Sequence, residues 1–226
     1  YFKSDMNCPK AYKGRIGLDF AGGSPMLLQN KEGKDIIIAA QKTGWVFGLD
    51  PDRNGKVIWR RSISKGDFNK GNWFGMASNH STVFVAVNDL YANPLDGPYF
   101  GMEELGIYAL DGFTGQWLWT APVSRDCTEK VCRGYGAGLT AIPGVVFAGA
   151  QDGFFRALDA VTGELLWQFN TNKQFMTVNG TLANGGTIGG HGPVIANGNV
   201  YLNSGYVHHK GDTIGNVLLV FSVEGK

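Results

Sequence analysis

The sequence predicts an all-β protein, and three observations carry that prediction. Glycine accounts for 34 of the 226 residues, about twice its usual share, with no Gly-X-Y period that would suggest collagen. Aromatic side chains reach 12% and hydrophobic ones 43%, a composition suited to pleated, half-buried sheets rather than to disorder. The third observation is an internal repeat. Val46-Phe47-Gly48-Leu49-Asp50 leads to Val57-Ile58-Trp59, Ile107-Tyr108-Ala109-Leu110-Asp111 to Gly115-Gln116-Trp117-Leu118-Trp119, and Phe155-Arg156-Ala157-Leu158-Asp159 to Thr162-Gly163-Glu164-Leu165-Leu166-Trp167. Each copy reads as a strand, an Asp-led turn, a glycine and a strand ending in tryptophan. One such unit cannot bury its own apolar face, so the units must stack.

The elements follow from turn chemistry and two-residue alternation. In the first unit the expected strands are 25–28, 36–40, 44–49 and 57–60, parted by turns at 30–34 and 50–55. The second has a short inner strand at 75–78, then 83–87, 106–110 and 116–119, with a Pro-containing loop inserted at 88–105. The third has 138–140, 145–150, 154–158 and 165–169. The fourth has 193–196, 200–204 and 217–221, and no Trp-bearing strand after it. Leu49, Leu110, Leu158 and Phe221 hold equivalent places, with spacings of 61, 48 and 63 residues. Four strands in about 40–50 residues, plus insertions, is the signature of a β-propeller blade. The units cover about 21–61, 73–120, 136–170 and 190–226. The short fourth unit leads us to expect that residues 1–226 are the C-terminal portion of a single, longer propeller, a closed four-bladed ring being the alternative. The remaining N-terminal half would then be another chain or a segment upstream. In the repeat itself, the Asp is expected to cap its turn and the Trp to pack between blades, both structural duties.

Charge is balanced, with 20 basic and 19 acidic residues. No concentrated basic patch points to nucleic acid, and no apolar run approaches the length of a membrane-spanning helix. Cys127 and Cys132 stand in Cys-Thr-Glu-Lys-Val-Cys, without the further ligands a zinc site needs. A local disulfide is the favoured reading, two free thiols the other. A disulfide implies an oxidising compartment, hence a secreted or periplasmic protein. Cys8 has no evident partner. Asn79-His80-Ser81 and Asn179-Gly180-Thr181 are acceptor patterns for N-glycosylation, short enough to arise by chance.

Three stretches depart from the repeat: Gly17-Leu18-Asp19-Phe20-Ala21-Gly22-Gly23-Ser24-Pro25, Ala39-Ala40-Gln41-Lys42-Thr43-Gly44-Trp45, and Gly192-Pro193-Val194 through Ser204-Gly205-Tyr206. In order and spacing they resemble the quinoprotein alcohol dehydrogenases. The resemblance implies an eight-bladed propeller, of which this chain holds about four blades, binding pyrroloquinoline quinone (PQQ) beside calcium and oxidising an alcohol. It implies that Asp19 is the base taking the alcohol proton and that Lys42 meets the quinone oxygens. A carboxylate suits the first task and a cation the second. Asn72 and Trp73 would line the central pocket, although a tryptophan buried between blades reads equally well. His191, among glycines, reads as a loop histidine. Asp19 as a turn residue and Lys42 as a solvated lysine are the plainer readings. The calcium ligands would lie mostly outside this chain. The alternative function is a non-catalytic secreted propeller that binds a protein or a glycan.

Overall fold

The structure is a computed structural model that describes residues 24–64, 71–88, 105–123, 134–206 and 212–225. Nineteen strands occur among them, and no α-helix. The first sheet is the meander β1 (Met26–Gln29), β2 (Asp35–Ala40), β3 (Trp45–Asp50) and β4 (Lys56–Ser62). The second is β5 (Met76–Asn79), β6 (Thr82–Val87), β7 (Gly106–Asp111) and β8 (Trp117–Pro122). A two-residue strand, β9 (Gly136–Ala137), precedes the third sheet, which comprises β10 (Thr140–Ile142), β11 (Val145–Gly149), β12 (Phe154–Asp159) and β13 (Leu165–Asn170). The hairpin β14 (Gln174–Met176) and β15 (Leu182–Asn184) follows, then β16 (Gly189–Gly190). The last sheet holds β17 (Val194–Ala196), β18 (Asn199–Ser204) and β19 (Val217–Ser222).

Neighbours within the four blade sheets run antiparallel, as short turns between consecutive strands require. Lys34 N–H donates to Asn30 Oδ1 at 2.7 Å to close the first turn, where Gly33 takes φ +78°. The three complete sheets share an irregularity. The register shifts between Gly48 and Leu49, between Ala109 and Leu110, and between Ala157 and Leu158. A bulge at the same place in each copy bends the third strand into the Asp turn.

The sheets pack face to face. Ile36, Ile38 and Val46 of the first meet Val83, Val85 and Leu110 of the second. Phe84, Ile107 and Ala109 of the second meet Val146, Ala148 and Leu158 of the third. Phe155 of the third meets Leu202 of the fourth, with Ala137 and Ile188 beside them. Successive sheets therefore share one apolar layer each, which is how a repeat that cannot fold alone gains its core.

The repeat tryptophans bind the next blade. Trp59 Nε1 donates to Gly112 O at 2.9 Å and Trp119 Nε1 to Ala160 O at 3.2 Å. The indoles lie on glycine backbone: a Cβ at Gly115 would stand 2.5 Å from the Trp59 ring, and one at Gly163 2.5 Å from the Trp119 ring. The aspartates cap their turns as expected. Asp50 accepts from Asp52 N–H, Asp111 from Phe113 and Thr114 N–H, and Asp159 from Val161 and Thr162 N–H.

Three details differ from the sequence-based expectation. Of the inner strand placed at 138–140 only Thr140 is in a strand, the first residue of β10, while β9 lies before it and pairs parallel with β16 and not with its own sheet. The turn at 50–55 contains a 3-10 turn at Pro51–Arg53, where the proline supplies the φ that a first helical position needs. The hairpin β14–β15 had no expected strand, since it follows the Asp–Trp repeat and carries no copy of it.

Candidate functional site

The site is built on the turn that follows the second strand of the first blade. Gln41 N–H donates to Trp45 O at 2.9 Å and Gly44 N–H to Gln41 O at 3.0 Å, closing the turn around Lys42 and Thr43. Thr43 Oγ1 donates to Gln41 Oε1 at 2.9 Å. Gln41 and Thr43 are buried, while Lys42 is half-buried. Gly44 is indispensable here. Its φ is +79°, and a Cβ would strike the Ser64 carbonyl.

The chain entering the second blade runs directly over this turn. Gly71 has φ +70°, and a Cβ on it would collide with the Lys42 carbonyl oxygen. Asn72 and Trp73 come next in the chain, so the fold brings Lys42 and Asn72 into one neighbourhood from positions thirty apart (42 and 72). Asn72 is 2% exposed. Its Nδ2 donates to Ala86 O at 3.0 Å and to Gly75 O at 3.4 Å, while its Oδ1 is buried with no hydrogen-bond partner among the described residues. An acceptor left open in this way suits the N–H or O–H edge of a ring ligand. Trp73 is also buried, edge-on to Phe74 at 6.1 Å between ring centroids.

The same turn recurs in the third blade. Ala150 N–H donates to Phe154 O at 3.1 Å, and Gly153 N–H to Ala150 O at 3.0 Å. Matching these bonds with those of the first blade makes Gln151 the counterpart of Lys42 and Asp152 the counterpart of Thr43. Beneath Gln151 the turn is braced by charge. Asp152 pairs with Arg156 at 2.6 Å and accepts Phe154 N–H at 2.8 Å. Arg156 lies over the Tyr135 and Phe154 rings, 5.8 and 5.1 Å from their centroids. Burial opposes the Arg156 charge most strongly, but Asp152 and Tyr135, through their bonds and charges together, outweigh it and hold the guanidinium above its ordinary value. Burial also pushes the Tyr135 phenol up to about 12, so it is neutral across the working pH range.

The other candidates divide cleanly. Asp19, Cys127 and Cys132 lie outside the described residues. Asn179 is exposed on the turn of the β14–β15 hairpin, whereas Asn79 is half-buried at the end of β5. His191 is exposed beyond β16. Among the described residues no group of three His, Cys, Asp or Glu converges as a metal site. Sequence reasoning passed over Gln151 and Asn88. Their signal was positional, because each is the polar residue in the turn that follows the second strand of its blade.

Residues 99–218 match the family PQQ_2, described as outer membrane protein assembly factor BamB. The chain belongs to this family. It is 39% identical to a polyvinylalcohol dehydrogenase from Pseudomonas sp, over 97% of this chain and 35% of the relative. A second polyvinylalcohol dehydrogenase, from Sphingopyxis sp. (strain 113P3), is 35% identical over 99% of this chain and 35% of the relative. The PQQ_2 chain thus spans about a third of the length of these relatives. The structure of a quinohemoprotein alcohol dehydrogenase from Comamonas testosteroni covers 82% of this chain and 29% of its own, with a TM-score of 0.52 and 16% identity. That likeness bears out the propeller-type all-β fold. The resemblance to quinoprotein alcohol dehydrogenases is borne out as well. In the described residues no helix is long and apolar enough to cross a membrane.

Proposed function

We propose that this chain is the C-terminal part of a secreted or periplasmic alcohol dehydrogenase that passes electrons from an alcohol to PQQ. The observation that carries the proposal is the meeting of the Lys42 turn with the Gly71–Asn72 segment, in a chain so similar to two polyvinylalcohol dehydrogenases. The residues fit the cofactor: a cation, a buried open acceptor on Asn72, and a glycine that lets one backbone lie on the other. When bound, PQQ supplies the two-electron acceptor. Lys42 places positive charge where oxygen gains electron density. Asn72 holds the orientation of the ring through its fixed amide. Asp19, assigned from the sequence match, would take the proton of the alcohol hydroxyl. Trp73 walls the site. Calcium and the rest of the PQQ shell belong to the remaining portion of the propeller, which is the partner this function needs. A disulfide between Cys127 and Cys132 belongs to the same extracytoplasmic setting.

The test uses the full-length protein with calcium and PQQ added, and follows dye reduction on addition of alcohols, polyvinyl alcohol among them. Alcohol-dependent reduction is expected. Asp19→Asn should lower turnover by about 100-fold or more with PQQ binding retained. A full-length protein that binds no PQQ and reduces no dye overturns the proposal. It would leave the second reading, a non-catalytic propeller that binds a protein or glycan, which the BamB description of the matching family favours.

A further inference from the structure

We infer that Asn88 and Gln151 are ligand-binding residues, and that with Lys42 they form a row of three equivalent turn positions contributing to one PQQ site. The inference rests on the PQQ reading above and extends it to two residues that no resemblance singled out.

Backbone bonds establish the equivalence. Asn88 N–H donates to Gly71 O at 3.0 Å, Gln151 N–H to Gly134 O at 3.0 Å, and Gly205 N–H to Thr187 O at 2.9 Å. Each bond joins the turn after a blade's second strand to the segment that opens that blade. Gln151 is in turn the counterpart of Lys42 by the turn bonds already described. The series is therefore Lys42, Asn88, Gln151 and Gly205, one from each successive blade. Three of the four carry a polar side chain.

The two amides are made for a partner they do not have among the described residues. Asn88 is 0% and Gln151 2% exposed, yet among the described residues both the nitrogen and the oxygen of each amide lack a hydrogen-bond partner. A buried amide in that condition has surrendered its hydration for nothing. Glycines keep space around both. A Cβ at Gly134 would stand 2.9 Å from Asn88 Oδ1, and one at Gly136 2.9 Å from Gln151 Cγ and 3.1 Å from its Nε2. Gly136 lies in β9, the strand that pairs across to β16 of the next blade, so the Gln151 amide faces the seam between blades. Asp152 and Arg156 hold its turn rigid from below. Each amide offers donors and an acceptor at once. Donors meet the carboxylate and carbonyl oxygens of PQQ, which carry negative charge but need not each have a cation. Lys42 supplies that charge once, and the amides supply direction.

The experiment compares full-length wild type with Gln151→Met and Asn88→Leu, which keep the bulk and delete the polar atoms. PQQ affinity is measured by quenching of protein fluorescence, and thermal stability without PQQ by calorimetry. The expected result has opposite signs: PQQ dissociation constants rise about tenfold in each variant, while the melting temperature without PQQ stays level or rises, because an open buried amide has been removed. Unchanged affinity in variants of unchanged stability overturns the inference while leaving the PQQ reading intact. A fall in melting temperature assigns the amides to the fold or to ordered water and overturns it too. Failure of the wild type itself to bind PQQ removes the functional reading and this inference together.

Discussion

The seam between the first and second blades and the seam between the third and fourth are closed differently. In the first, Trp59 gives its N–H to a carbonyl of the next blade and lies flat on Gly115. The second-to-third seam repeats this with Trp119 and Gly163. At the third-to-fourth seam Trp167 is 39% exposed and, among the described residues, donates to no carbonyl. Its neighbours are the rings of Phe221 at 5.3 Å, Phe155 at 5.9 Å and Phe169 at 6.0 Å. Gly225, the glycine of the corresponding turn, comes three residues after Ser222 where Gly115 and Gly163 come four after their aspartates, and it would meet nothing with a Cβ. Among the described residues, two seams are thus oriented by a hydrogen bond on a glycine platform, and one by an aromatic cluster. A hydrogen bond fixes register, whereas ring contacts of this kind tolerate sliding.

The largest effect should come from the tryptophans. Trp59→Ala in the full-length protein is expected to cost about 3–5 kcal/mol, the usual loss for a buried aromatic. Trp167→Ala should cost less, about 1–3 kcal/mol, in proportion to the surface it leaves in water. Denaturant midpoints at constant slope check both. Equal losses would mean that the aromatic cluster closes its seam as firmly as the docked indole does.

Glycine substitutions divide the same comparison more finely. Gly163 has φ +76° with the Trp119 ring 2.5 Å from where a Cβ would sit, whereas Gly225 has φ +67° and open space. Gly225→Ala therefore bears only the backbone term, about 1–2 kcal/mol. Gly163→Ala adds displacement of the indole, about 1–3 kcal/mol more. Near-equal midpoints for the two would show that Trp119 swings aside without loss.

The seams also show what could be read from residues in order and what could not. The Asp–Gly–Trp repeat made the blades legible, and the absence of its last element distinguished the fourth sheet. Those features are local, set by turn chemistry and two-residue alternation. The two-residue pairing of β9 with β16 was not legible, because a parallel contact between three glycines and Ala137 leaves no period in either segment. In the site, Lys42 could be named from a matched motif, and Asn72 from its Gly-Asn-Trp context. Their meeting could not be foreseen, since it depends on Gly71 crossing a turn of the previous blade. Gln151 was hidden by a misleading likeness. Ala-Gln occurs at 40–41 and at 150–151, which invites matching Gln151 with Gln41, yet the turn bonds match it with Lys42. Where register shifts by one residue, hydrogen bonds decide and letters do not.

The smallest effect concerns the turn aspartates that precede each seam. The Asp159 carboxyl is held below its ordinary value of 3.8, first by the Thr162 N–H and then by that of Val161. Asp50 is lowered too, chiefly by its bond to Arg53. The fourth blade has Ser222 in the equivalent place, which has no charge to lose. A carboxyl whose folded value is depressed contributes stability that is fully present above its unfolded value. That contribution is lost as pH falls through the folded value, because the unfolded chain takes up protons first. The full-length protein should therefore lose melting temperature as pH drops below about 4. Asp159→Asn keeps an acceptor for the two N–H groups but cannot titrate, so its melting temperature should fall less steeply across that window and lie slightly below wild type at pH 7. Salt separates the two aspartates further. Added salt should soften the Asp50 share, which depends on the Arg53 charge, and leave the Asp159 share nearly unchanged, since backbone dipoles in contact are poorly screened. Parallel acid limbs for wild type and Asp159→Asn would show that the charge at this turn is incidental, and that the serine of the fourth blade serves its turn equally well.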